Sequence, residues 1–507
     1  MRATAALCLA SLVSPAAAYE LAPYRVVDDL FGAEAVAVAD LNGDGRDDLV
    51  VATSMHPTGP RPGHVLVYLQ GPDGTLRPPQ AFDYAPTTHN TLALDVGDVS
   101  GDGVPDIVVG HDRGFTVFTN RGFDRLRHQP LERSFIELTW GRASLLRLHD
   151  VDGDGVRDFI TGGYVFYNDG TGGVRAQVRL PHAGGGSDLD LGDVNGDGFD
   201  DVVLTTGSSE VHVVLHDGVS AFEDDFEAIV TDHNFLRSSA LGDLNGDGLV
   251  DLVVGMEEDV STPLLVYHQG PSGLVGPERI AALRSPGPAL VRDLDGDGRP
   301  DLVVLHNVEP ALGVFLQTDD GLALEDAYPS PYATWNSVHT LAAGDLNGDG
   351  CMDVVIANYN EGPAVFDGTG CHGRPDLVPR ISYSGGRLRL AAHNQGGADA
   401  PPVTLVARLG LRAGGLALGS MPAGCSVLQA SGHTARVSCT ASVAAGSTAE
   451  FALAVESGHE WPVMLTVAAA VDAVQGETVT ANNRQSKVVA LEPGKAATPG
   501  AGSRLRR

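Results

Sequence analysis

Seven short acidic segments with a common pattern recur along this chain of 507 residues. They read DLNGDGRDD from Asp40, DVSGDGVPD from Asp98, DVDGDGVRD from Asp150, DVNGDGFDD from Asp193, DLNGDGLVD from Asp243, DLDGDGRPD from Asp293 and DLNGDGCMD from Asp345. Their first aspartates are 58, 52, 43, 50, 50 and 52 residues apart. A repeat of this length with strand-like flanks is typical of a propeller or a solenoid.

Each repeat contains the pattern of four short strands. In the first repeat, Ala35–Ala39 enters the acidic segment, Leu49–Val51 leaves it and His64–Tyr68 follows a turn, before a less regular fourth strand. Four such strands make one propeller blade. The sequence therefore predicts an all-β chain with a seven-bladed β-propeller over residues 19–374; eight blades with one degenerate copy is the alternative. The seventh repeat lacks a fourth strand of its own, and we expect Tyr24–Val27 to complete it and close the ring.

The composition changes after the seventh repeat. Residues 375–492 contain no acidic segment but show about seven short strands with alternating polarity, which predict a β-sandwich of the immunoglobulin type. Four of these predicted strands are Val403–Ala407, Glu450–Val455, Val463–Val467 and Lys487–Leu491. Residues 493–507 are rich in Pro, Gly and Ala, and we expect a disordered tail.

The beginning of the chain has the features of a secretory signal peptide over residues 1–18. Arg2 is followed by the apolar stretch Ala5–Val13 and by the small residues Ala16–Ala18. No later segment has the length and apolar character of a transmembrane helix. The sequence therefore predicts an exported protein that is extracellular, on the cell surface or periplasmic.

Four cysteines follow the predicted signal peptide, and an even number in an exported protein favours two disulfides. Sequence neighbours would pair as Cys351–Cys371 and Cys425–Cys439. Two other connectivities, and buried free thiols, remain open at this point.

The acidic segments have the oxygen donors of a calcium site. Calcium prefers six to eight oxygen ligands. Side-chain oxygens stand at positions one, three, five and nine of each segment, the carbonyl of position seven can add a ligand, and glycines at positions four and six permit a tight turn. The predicted ligands, for up to seven Ca²⁺ ions, are Asp40, Asn42, Asp44, Arg46, Asp48, Asp98, Ser100, Asp102, Val104, Asp106, Asp150, Asp152, Asp154, Val156, Asp158, Asp193, Asn195, Asp197, Phe199, Asp201, Asp243, Asn245, Asp247, Leu249, Asp251, Asp293, Asp295, Asp297, Arg299, Asp301, Asp345, Asn347, Asp349, Cys351 and Asp353.

Three other interpretations of these segments fit the residues less well. An EF-hand would need a glutamate at the twelfth position, where the first segment has Val51, and would need helices on both sides. Magnesium usually keeps several waters and takes few protein ligands. Metal-free turns, in which Asp and Asn bond to their own backbone, need only one or two such residues per turn.

The calcium interpretation also accounts for much of the net charge of −32. Of the 65 Asp and Glu residues, 23 stand at ligand positions of the seven segments. Seven bound Ca²⁺ ions would still leave a clearly negative protein. Since nucleic-acid binding requires a basic surface, we expect no nucleic-acid partner.

The repeats resemble the FG-GAP repeats of integrin α-chain propellers and the related VCBS-type repeats of bacterial surface proteins. The resemblance covers Tyr19–Arg374, and Phe31-Gly32 matches the Phe-Gly that gives the family its name. It implies a seven-bladed propeller with structural Ca²⁺ between the first two strands of each blade and a ligand surface on the opposite face. Family members include adhesion modules and fungal-type lectins. The C-terminal region resembles bacterial adhesion-related immunoglobulin-like modules in Pro422–Cys425, Ala444–Gly446 and Asn482-Asn483.

Polar and aromatic residues recur on the face predicted to lie opposite the calcium. They precede the first strand or follow the second strand of several repeats, and aromatic rings and amides suit both sugars and protein partners. The predicted ligand residues are His89, Asn90, Trp140, His233, Asn234, His306, Asn307, Trp335, Asn336, Asn358 and Tyr359. The alternative is that the tryptophans fill gaps between blades and the His-Asn pairs close turns.

The sequence contains no nucleophile elbow, zinc-protease motif or phosphate loop. We therefore expect a non-enzymatic adhesion-type protein that binds an extracellular protein or glycan. The alternatives are a lectin and a polysaccharide lyase or hydrolase, for which His, Tyr and Arg should meet at the ring centre. The oligomeric state does not follow from the sequence.

Overall fold

The fold was analysed in a computed structural model. The structure describes residues 19–54, 63–84, 93–111, 113–122, 131–137, 143–181, 186–216, 222–231, 235–257, 260–270, 273–318, 321–331, 339–371, 377–384, 387–394, 400–411, 415–443, 447–457, 463–471 and 484–491. All regular secondary structure in these residues is β-strand. Over the same ranges, no helix has the length and apolar character needed to cross a membrane.

Six four-stranded antiparallel sheets follow one another along the chain, each with its strands in simple up-and-down order. We name them sheet one to sheet six. Their strands are β3 (Ala33–Ala39), β4 (Asp48–Thr53), β5 (His64–Tyr68) and β6 (Gln80–Asp83); β7 (Ala93–Gly97), β8 (Asp106–His111), β9 (Gly114–Asn120) and β10 (Leu131–Glu137); β11 (Leu146–His149), β12 (Asp158–Thr161), β13 (Tyr164–Asn168) and β14 (Val174–Arg179); β15 (Asp188–Gly192), β16 (Asp201–Thr205), β17 (Glu210–His216) and β18 (Phe222–Val230); β19 (Leu236–Gly242), β20 (Asp251–Met256), β21 (Leu264–Gly270) and β22 (Gly273–Ile280); β23 (Pro286–Arg292), β24 (Asp301–His306), β25 (Ala311–Phe315) and β28 (Asp326–Pro329). Within the sixth repeat, β26 (Gln317–Thr318) and β27 (Gly321–Leu322) form a separate two-stranded ribbon.

Sheet seven combines strands from both ends of the repeat region. It contains β29 (Leu341–Gly344), β30 (Asp353–Ile356) and β31 (Ala364–Phe366), and its outer strand is β2 (Arg25–Val26). Arg25 lies opposite Val365 and Val26 opposite Ala364. A second short pair, β1 (Glu20–Leu21) with β32 (Gly368–Thr369), lies beside it. The predicted completion of the seventh repeat by the segment before the first repeat is therefore confirmed.

The seven sheets contact one another in a cyclic order. The first strand of each sheet contacts the first strand of the next, and β29 contacts β3. Seven clusters of buried apolar side chains each join two neighbouring sheets, including one that joins sheet seven to sheet one through Val355 and Val36. The arrangement is therefore propeller-like.

Burial explains the hydrophobic pattern of the strands. The second strands are covered on both faces by adjacent sheets, and every residue of β4, β8 and β24 is buried. This is why they read as continuous Val and Leu runs rather than as alternating patterns. The outer strands, such as β10, are mostly exposed and polar.

Aspartates on the first strands connect neighbouring sheets. Asp95 accepts a hydrogen bond from the backbone N–H of Leu148 at 2.8 Å, and Asp188 accepts one from Ser239 at 3.0 Å. Neighbouring first strands are not joined by a β ladder. These carboxylates, buried at Asp188 and half-buried at Asp95, therefore satisfy backbone donors that would otherwise lack partners.

The C-terminal region forms two further antiparallel sheets around one shared core. They contain nine strands, where about seven had been predicted: β33 (Leu377–Ser384), β34 (Arg387–Asn394), β35 (Ala400–Leu411), β36 (Leu416–Leu418), β37 (Cys425–Ala430), β38 (Thr434–Val443), β39 (Thr448–Ser457), β40 (Val463–Val471) and β41 (Arg484–Leu491). The strand orders are β33-β34-β39-β36 and β37-β38-β35-β40-β41. Leu388 and Leu453 from the first sheet pack with Leu405 and Val467 from the second.

Two disulfides are present, and both join neighbours in sequence as predicted. Cys351 pairs with Cys371 and connects the seventh acidic segment to the second residue after β32. Cys425 pairs with Cys439 across β37 and β38. The predicted signal peptide and tail lie outside the described residues, and so do Ala444–Gly446 and Asn482-Asn483 of the C-terminal resemblance.

Candidate metal centre

Each acidic segment forms the loop between the first and second strands of its sheet. Position one follows the first strand and position nine begins the second strand, as in Asp40 and Asp48 on either side of the first loop. The glycines at positions four and six have positive φ in every loop, with values of 70° at Gly43 and 81° at Gly45. Such a backbone strains a residue with a side chain, so the predicted role of these glycines is confirmed.

The aspartate at position one organises the turn. In the first loop, Asp40 accepts hydrogen bonds from the backbone N–H of Gly43 and of Gly45, both at 2.8 Å. Five other loops repeat this pair of bonds. In the third loop, Oδ2 of Asp150 accepts from Gly155 at 2.8 Å, but Oδ1 is buried and has no hydrogen-bond partner.

The aspartate at position nine has a structural role that the sequence did not predict. Asp48 is fully buried and accepts the backbone N–H of Leu41, in the loop, at 3.0 Å and that of Gln70, after the third strand, at 2.8 Å. The other six position-nine aspartates are equally buried and make the same pair of bonds. Since an ionised carboxylate has about four acceptor sites, this role leaves room for a metal ligand bond.

Burial also shifts the protonation of these carboxyls. It raises the pKa of Asp48 and Asp353 to about 8 and that of Asp301 to about 7, although backbone hydrogen bonds oppose the change. The pKa values of Asp106 and Asp201 rise to about 6 for the same reason. A nearby cation would favour the charged form and lower these values.

Two loops bring carboxylates close enough to share one ion. Oxygens of Asp150, Asp152 and Asp158 lie within 4.8 Å of one another, and so do oxygens of Asp293, Asp295 and Asp297. Calcium binds oxygen at about 2.3–2.6 Å, so two ligands of one ion are typically separated by no more than about 5 Å. The unpartnered Oδ1 of Asp150 and this oxygen-only donor set fit a calcium ion.

Neighbouring loops also contact one another. The amide of Asn120, at the end of the third strand of sheet two, donates to the carbonyl of Leu41 in the first loop at 2.7 Å. Gln70 of sheet one donates to the carbonyl of Asp345 in the seventh loop, also at 2.7 Å. Similar bonds link Asn168 to Val99 and Gln317 to Asp243. The loops therefore lie together on one face of the ring.

The structure describes only four of the predicted ligand residues on the opposite face. His306 and Asn358 are buried, whereas Asn307 and Tyr359 are half-buried. His306 Nε2 lies 2.6 Å from Glu325 Oε1, and the side-chain oxygen of Asn358 accepts the N–H of Asn360 at 3.0 Å. His306 and Asn358 therefore make local contacts inside the fold and are not exposed for contact with a ligand. The remaining predicted residues, which are His89, Asn90, Trp140, His233, Asn234, Trp335 and Asn336, lie outside the described residues.

Two exposed aromatic residues on this face were not predicted as ligand residues. Phe31 is 45% exposed and packs edge-on against Tyr359, with ring centroids 4.6 Å apart. Gly32, with φ of 90°, donates its N–H to the Tyr359 carbonyl at 2.7 Å and fixes this contact. Phe235 is 61% exposed and has φ of 64°, a strained value for an aromatic residue. The Phe31-Gly32 dipeptide is the sequence signal for this contact, although by itself it indicates only the resemblance to FG-GAP repeats.

Charged side chains also meet at the ring centre, where the first strands line the axis. Nη1 of Arg147 lies 3.0 Å from Nδ1 and 3.1 Å from Nε2 of His339, 192 residues away. Asp188 and Asp190 each place a carboxylate oxygen 3.9 Å from the same guanidinium. Burial and the charge of Arg147 hold the pKa of His339 well below its usual value, and burial raises that of Asp188 to about 7.

Comparison with known proteins supports the interpretation of the repeats. A model described as FG-GAP-like repeat matches residues 40–109, 150–204, 193–254 and 293–356. Integrin alpha-4 of Xenopus laevis is 30% identical over 155 residues, which is 27% of this chain and 14% of that protein. The chain therefore spans only a small part of this relative.

Solved structures with a similar fold include two proteins of low sequence identity. An Agrocybe aegerita lectin that recognises non-reducing terminal N-acetylglucosamine is 21% identical, and the match covers 66% of this chain and 94% of the lectin with a TM-score of 0.44. The V. cholerae biofilm matrix protein Bap1 is 11% identical, with 67% and 88% of the two chains covered and a TM-score of 0.35. On the strength of the family model, four stretches of this chain carry FG-GAP-like repeats.

Proposed function

We propose that this chain is an exported calcium-binding protein of the adhesion type. A seven-bladed β-propeller over residues 19–374 carries structural Ca²⁺ in its acidic loops, and its opposite face binds an extracellular protein or glycan. An immunoglobulin-like β-sandwich over residues 375–492 acts as a spacer or a second binding module. Two disulfides are consistent with an oxidising compartment, and the similarity to an integrin α-chain supports adhesion as the class of function.

The main support for calcium is the conformation of the loops. All seven turn through the same pair of glycines, although the loops differ in their other residues, and in the third and sixth loops three carboxylates converge. In the third loop, Asp150, Asp152 and Asp158 converge and one buried oxygen of Asp150 has no hydrogen-bond donor. A buried carboxylate oxygen without a partner is costly, and a cation at this point would satisfy it.

The protein's own residues would connect the ion to the rest of each blade. Positions one, three and five would bind it from the loop, and position nine from the start of the second strand. Since Asp48 and its six equivalents also hold the third strand, an ion would draw three strands of a blade together. When bound, Ca²⁺ would neutralise the clustered carboxylates, so that metal binding contributes directly to the free energy of unfolding.

Calcium dependence is tested by scanning calorimetry of the protein from Tyr19 onward, in EDTA and in Ca²⁺. We expect a clearly higher melting temperature with Ca²⁺ and a smaller gain with Mg²⁺. Equal melting temperatures in EDTA and Ca²⁺ would contradict the proposal. Asp150→Asn should remove part of the gain, because it weakens one loop.

Ligand recognition is tested by a glycan array and by pull-down from an extracellular matrix extract, both with the calcium-loaded protein. Phe31→Ala should reduce ligand binding while the calcium-dependent melting temperature stays unchanged. Phe199→Ala is a matched control, because Phe199 is 44% exposed but lies in the fourth acidic loop. Equal loss of binding in both variants would argue against the opposite face as the ligand surface. Selective glycan binding would favour the lectin alternative over a protein partner.

The cluster at the ring centre supports a second candidate function, a polysaccharide lyase or hydrolase. A neutral histidine beside an arginine and two carboxylates has the elements of a base and an anion-binding group. The predicted tyrosine is not part of the described contacts. Release of reducing ends from a polysaccharide panel, abolished by His339→Gln but not by the control His64→Gln, would support this candidate; no release from any substrate would reject it for that panel.

A further inference from the structure

Two arginines occupy the same place in different acidic loops. Arg46 and Arg299 both stand at position seven, where only the backbone carbonyl was predicted as a metal ligand. Nε of Arg46 donates to the carbonyl of Gln70 at 3.3 Å, and its Nη2 pairs with the position-five carboxylate of Asp44. Arg299 repeats both contacts, with the Gln317 carbonyl at 3.1 Å and with Asp297.

A third arginine reaches the equivalent place from another part of the sequence. Arg175 lies on β14, yet its Nε donates to the carbonyl of Asn168 at 2.8 Å. Its Nη2 pairs with Asp152, at position three of the third loop, and lies 3.6 Å from Asp154, at position five. Asn168 is the structural equivalent of Gln70 and Gln317, since the backbone N–H of each donates to the position-nine aspartate. An arginine guanidinium therefore occupies an equivalent place in all three loops, although it comes from the loop itself in two of them and from strand β14 in the third.

The fourth, fifth and seventh loops use a neutral group instead. The amide of Asn195 donates to Asp197 at 3.0 Å, that of Asn245 to Asp247 at 3.2 Å, and that of Asn347 to Asp349 at 3.1 Å. In the part of the chain that the structure describes, these three position-five carboxylates form no ion pair with an arginine. The second loop is intermediate, because Arg121 lies 3.9 Å from Asp102 and also pairs with Glu132 at 3.3 Å.

We infer that Arg46, Arg175 and Arg299 are built-in counter-cations that hold the first, third and sixth loops together without metal and lower their calcium affinity. This inference rests on the proposed calcium binding. A guanidinium on Asp44, Asp152 or Asp297 neutralises the loop carboxylates and occupies an oxygen that calcium needs. It must move away before the ion is fully coordinated. The fourth, fifth and seventh loops, in which an amide rather than a guanidinium contacts the position-five carboxylate, therefore fill at lower calcium concentration.

The test is equilibrium dialysis of ⁴⁵Ca²⁺ against the decalcified protein. The wild type should show a tighter and a weaker class of sites. The triple variant Arg46→Gln, Arg175→Gln, Arg299→Gln should tighten the weaker class by about threefold to tenfold, as expected for loss of an exposed to half-buried ion pair. In EDTA, the same variant should melt at a lower temperature, because its loop carboxylates have lost their counter-charges.

A matched control removes three positive charges that lie outside the loops. Arg113, Arg237 and Arg284 pair with Glu137, Glu257 and Glu309, so Arg→Gln at all three changes the net charge equally. Identical calcium isotherms for the two triple variants would overturn the inference, because the effect would then be one of net charge alone. A wild type that binds no calcium would instead refute the proposed function, and the inference with it. If the triple variant does not fold, Arg299→Gln alone should still tighten calcium binding at one of the weaker sites, and unchanged binding there would overturn the inference.

Discussion

Arg25 forms a two-pronged ion pair with Asp367, 342 residues further along the chain. Its Nε lies 3.1 Å and its Nη2 2.9 Å from Oδ1 of that carboxylate. The pair lies beside β2 and β31, at the seam where the start of the described chain completes sheet seven. The ladder between β2 and β31 has only two residue pairs. We therefore expect side-chain contacts such as this ion pair to contribute to holding the two strands together.

Replacement of Arg25 by alanine should therefore loosen the ring. We expect a loss of about 0.5–1 kcal/mol in the free energy of unfolding, at the upper end of the range for partly exposed ion pairs. Urea unfolding in EDTA measures it. Arg77→Ala is the matched control, since Arg77 pairs with Asp73 inside one hairpin of sheet one, and it should cost less. An equal cost for both variants would show that the seam pair has no special role.

The two kinds of aspartate in one loop should respond differently to the same substitution. Asp201→Asn places an amide against the backbone donors of Val194 and His216, and should cost about 1–3 kcal/mol even in EDTA. Asp197→Asn, at an exposed position five, should change stability in EDTA by no more than about 0.5 kcal/mol but weaken calcium binding. Parallel urea curves in EDTA and in Ca²⁺ separate these effects. Equal destabilisation by the two variants in EDTA would contradict the structural role of position nine.

The metal-free protein should lose stability as the pH rises from 5 to 8. Burial raises the pKa of Asp48 and Asp353 to about 8 and that of Asp301 to about 7 in the folded state, above the usual aspartate value of 3.8. For a raised pKa, the stabilising contribution is complete below the unfolded value and is lost as the pH passes through the folded value. Between its unfolded and its folded pKa, such a carboxyl is protonated only in the folded state. The free energy of unfolding therefore falls by about 1.4 kcal/mol per carboxyl for each pH unit of increase in this window.

Calcium should reverse this dependence, because it would bind the ionised carboxylates and compete with protons. Calorimetry at pH 5, 6, 7 and 8, with EDTA or with Ca²⁺, gives the two curves. We expect the melting temperature to fall with pH in EDTA and to rise with pH in Ca²⁺. A melting temperature in EDTA that increases with pH would show that these buried aspartates are ionised in the fold.

Gly74 should tolerate no side chain, because it lies against the seventh loop. A Cβ at Gly74 would stand 1.9 Å from the backbone oxygen of Asn347, whereas a Cβ at Gly207 would have its nearest contact at 3.7 Å. Both glycines have φ of 73°, so Gly207→Ala controls for backbone strain. Gly74→Ala should cost about 1–3 kcal/mol more than Gly207→Ala in urea unfolding. Equal losses would indicate that sheet one and the seventh loop adjust to each other freely.

Much of the fold was predictable because it depends on local pattern. The acidic loops lie between first and second strands, the segment around Arg25 closes the seventh sheet, and both disulfides join sequence neighbours. These features follow from turn chemistry, strand length and cysteine spacing. The sequence predicted about seven C-terminal strands where the structure has nine, because a strand as short as β36, with three residues, shows no clear alternation.

The candidate sites were less predictable because they depend on which repeats become neighbours. Arg147 meets His339 only because the ring brings sheets three and seven to one axis. His306 stands at the end of a buried strand, where spacing alone cannot distinguish an exposed tip from a contact with Glu325. The double role of Asp48 depends on the third strand, 22 residues away. A ligand pattern within nine residues contains no information about that partner.

The Cys351–Cys371 bridge has a mechanical consequence. A force applied on the C-terminal side of the chain reaches Cys371 first and is transmitted through the disulfide to Cys351 in the seventh loop. Residues 352–370 lie between the two bridged cysteines, so this force bypasses them. That segment contains β30, β31 and β32, and with them the two-residue ladder that closes the ring. The two-residue ladder that closes the ring is thus shielded by a covalent bond from a force applied on the C-terminal side of the chain.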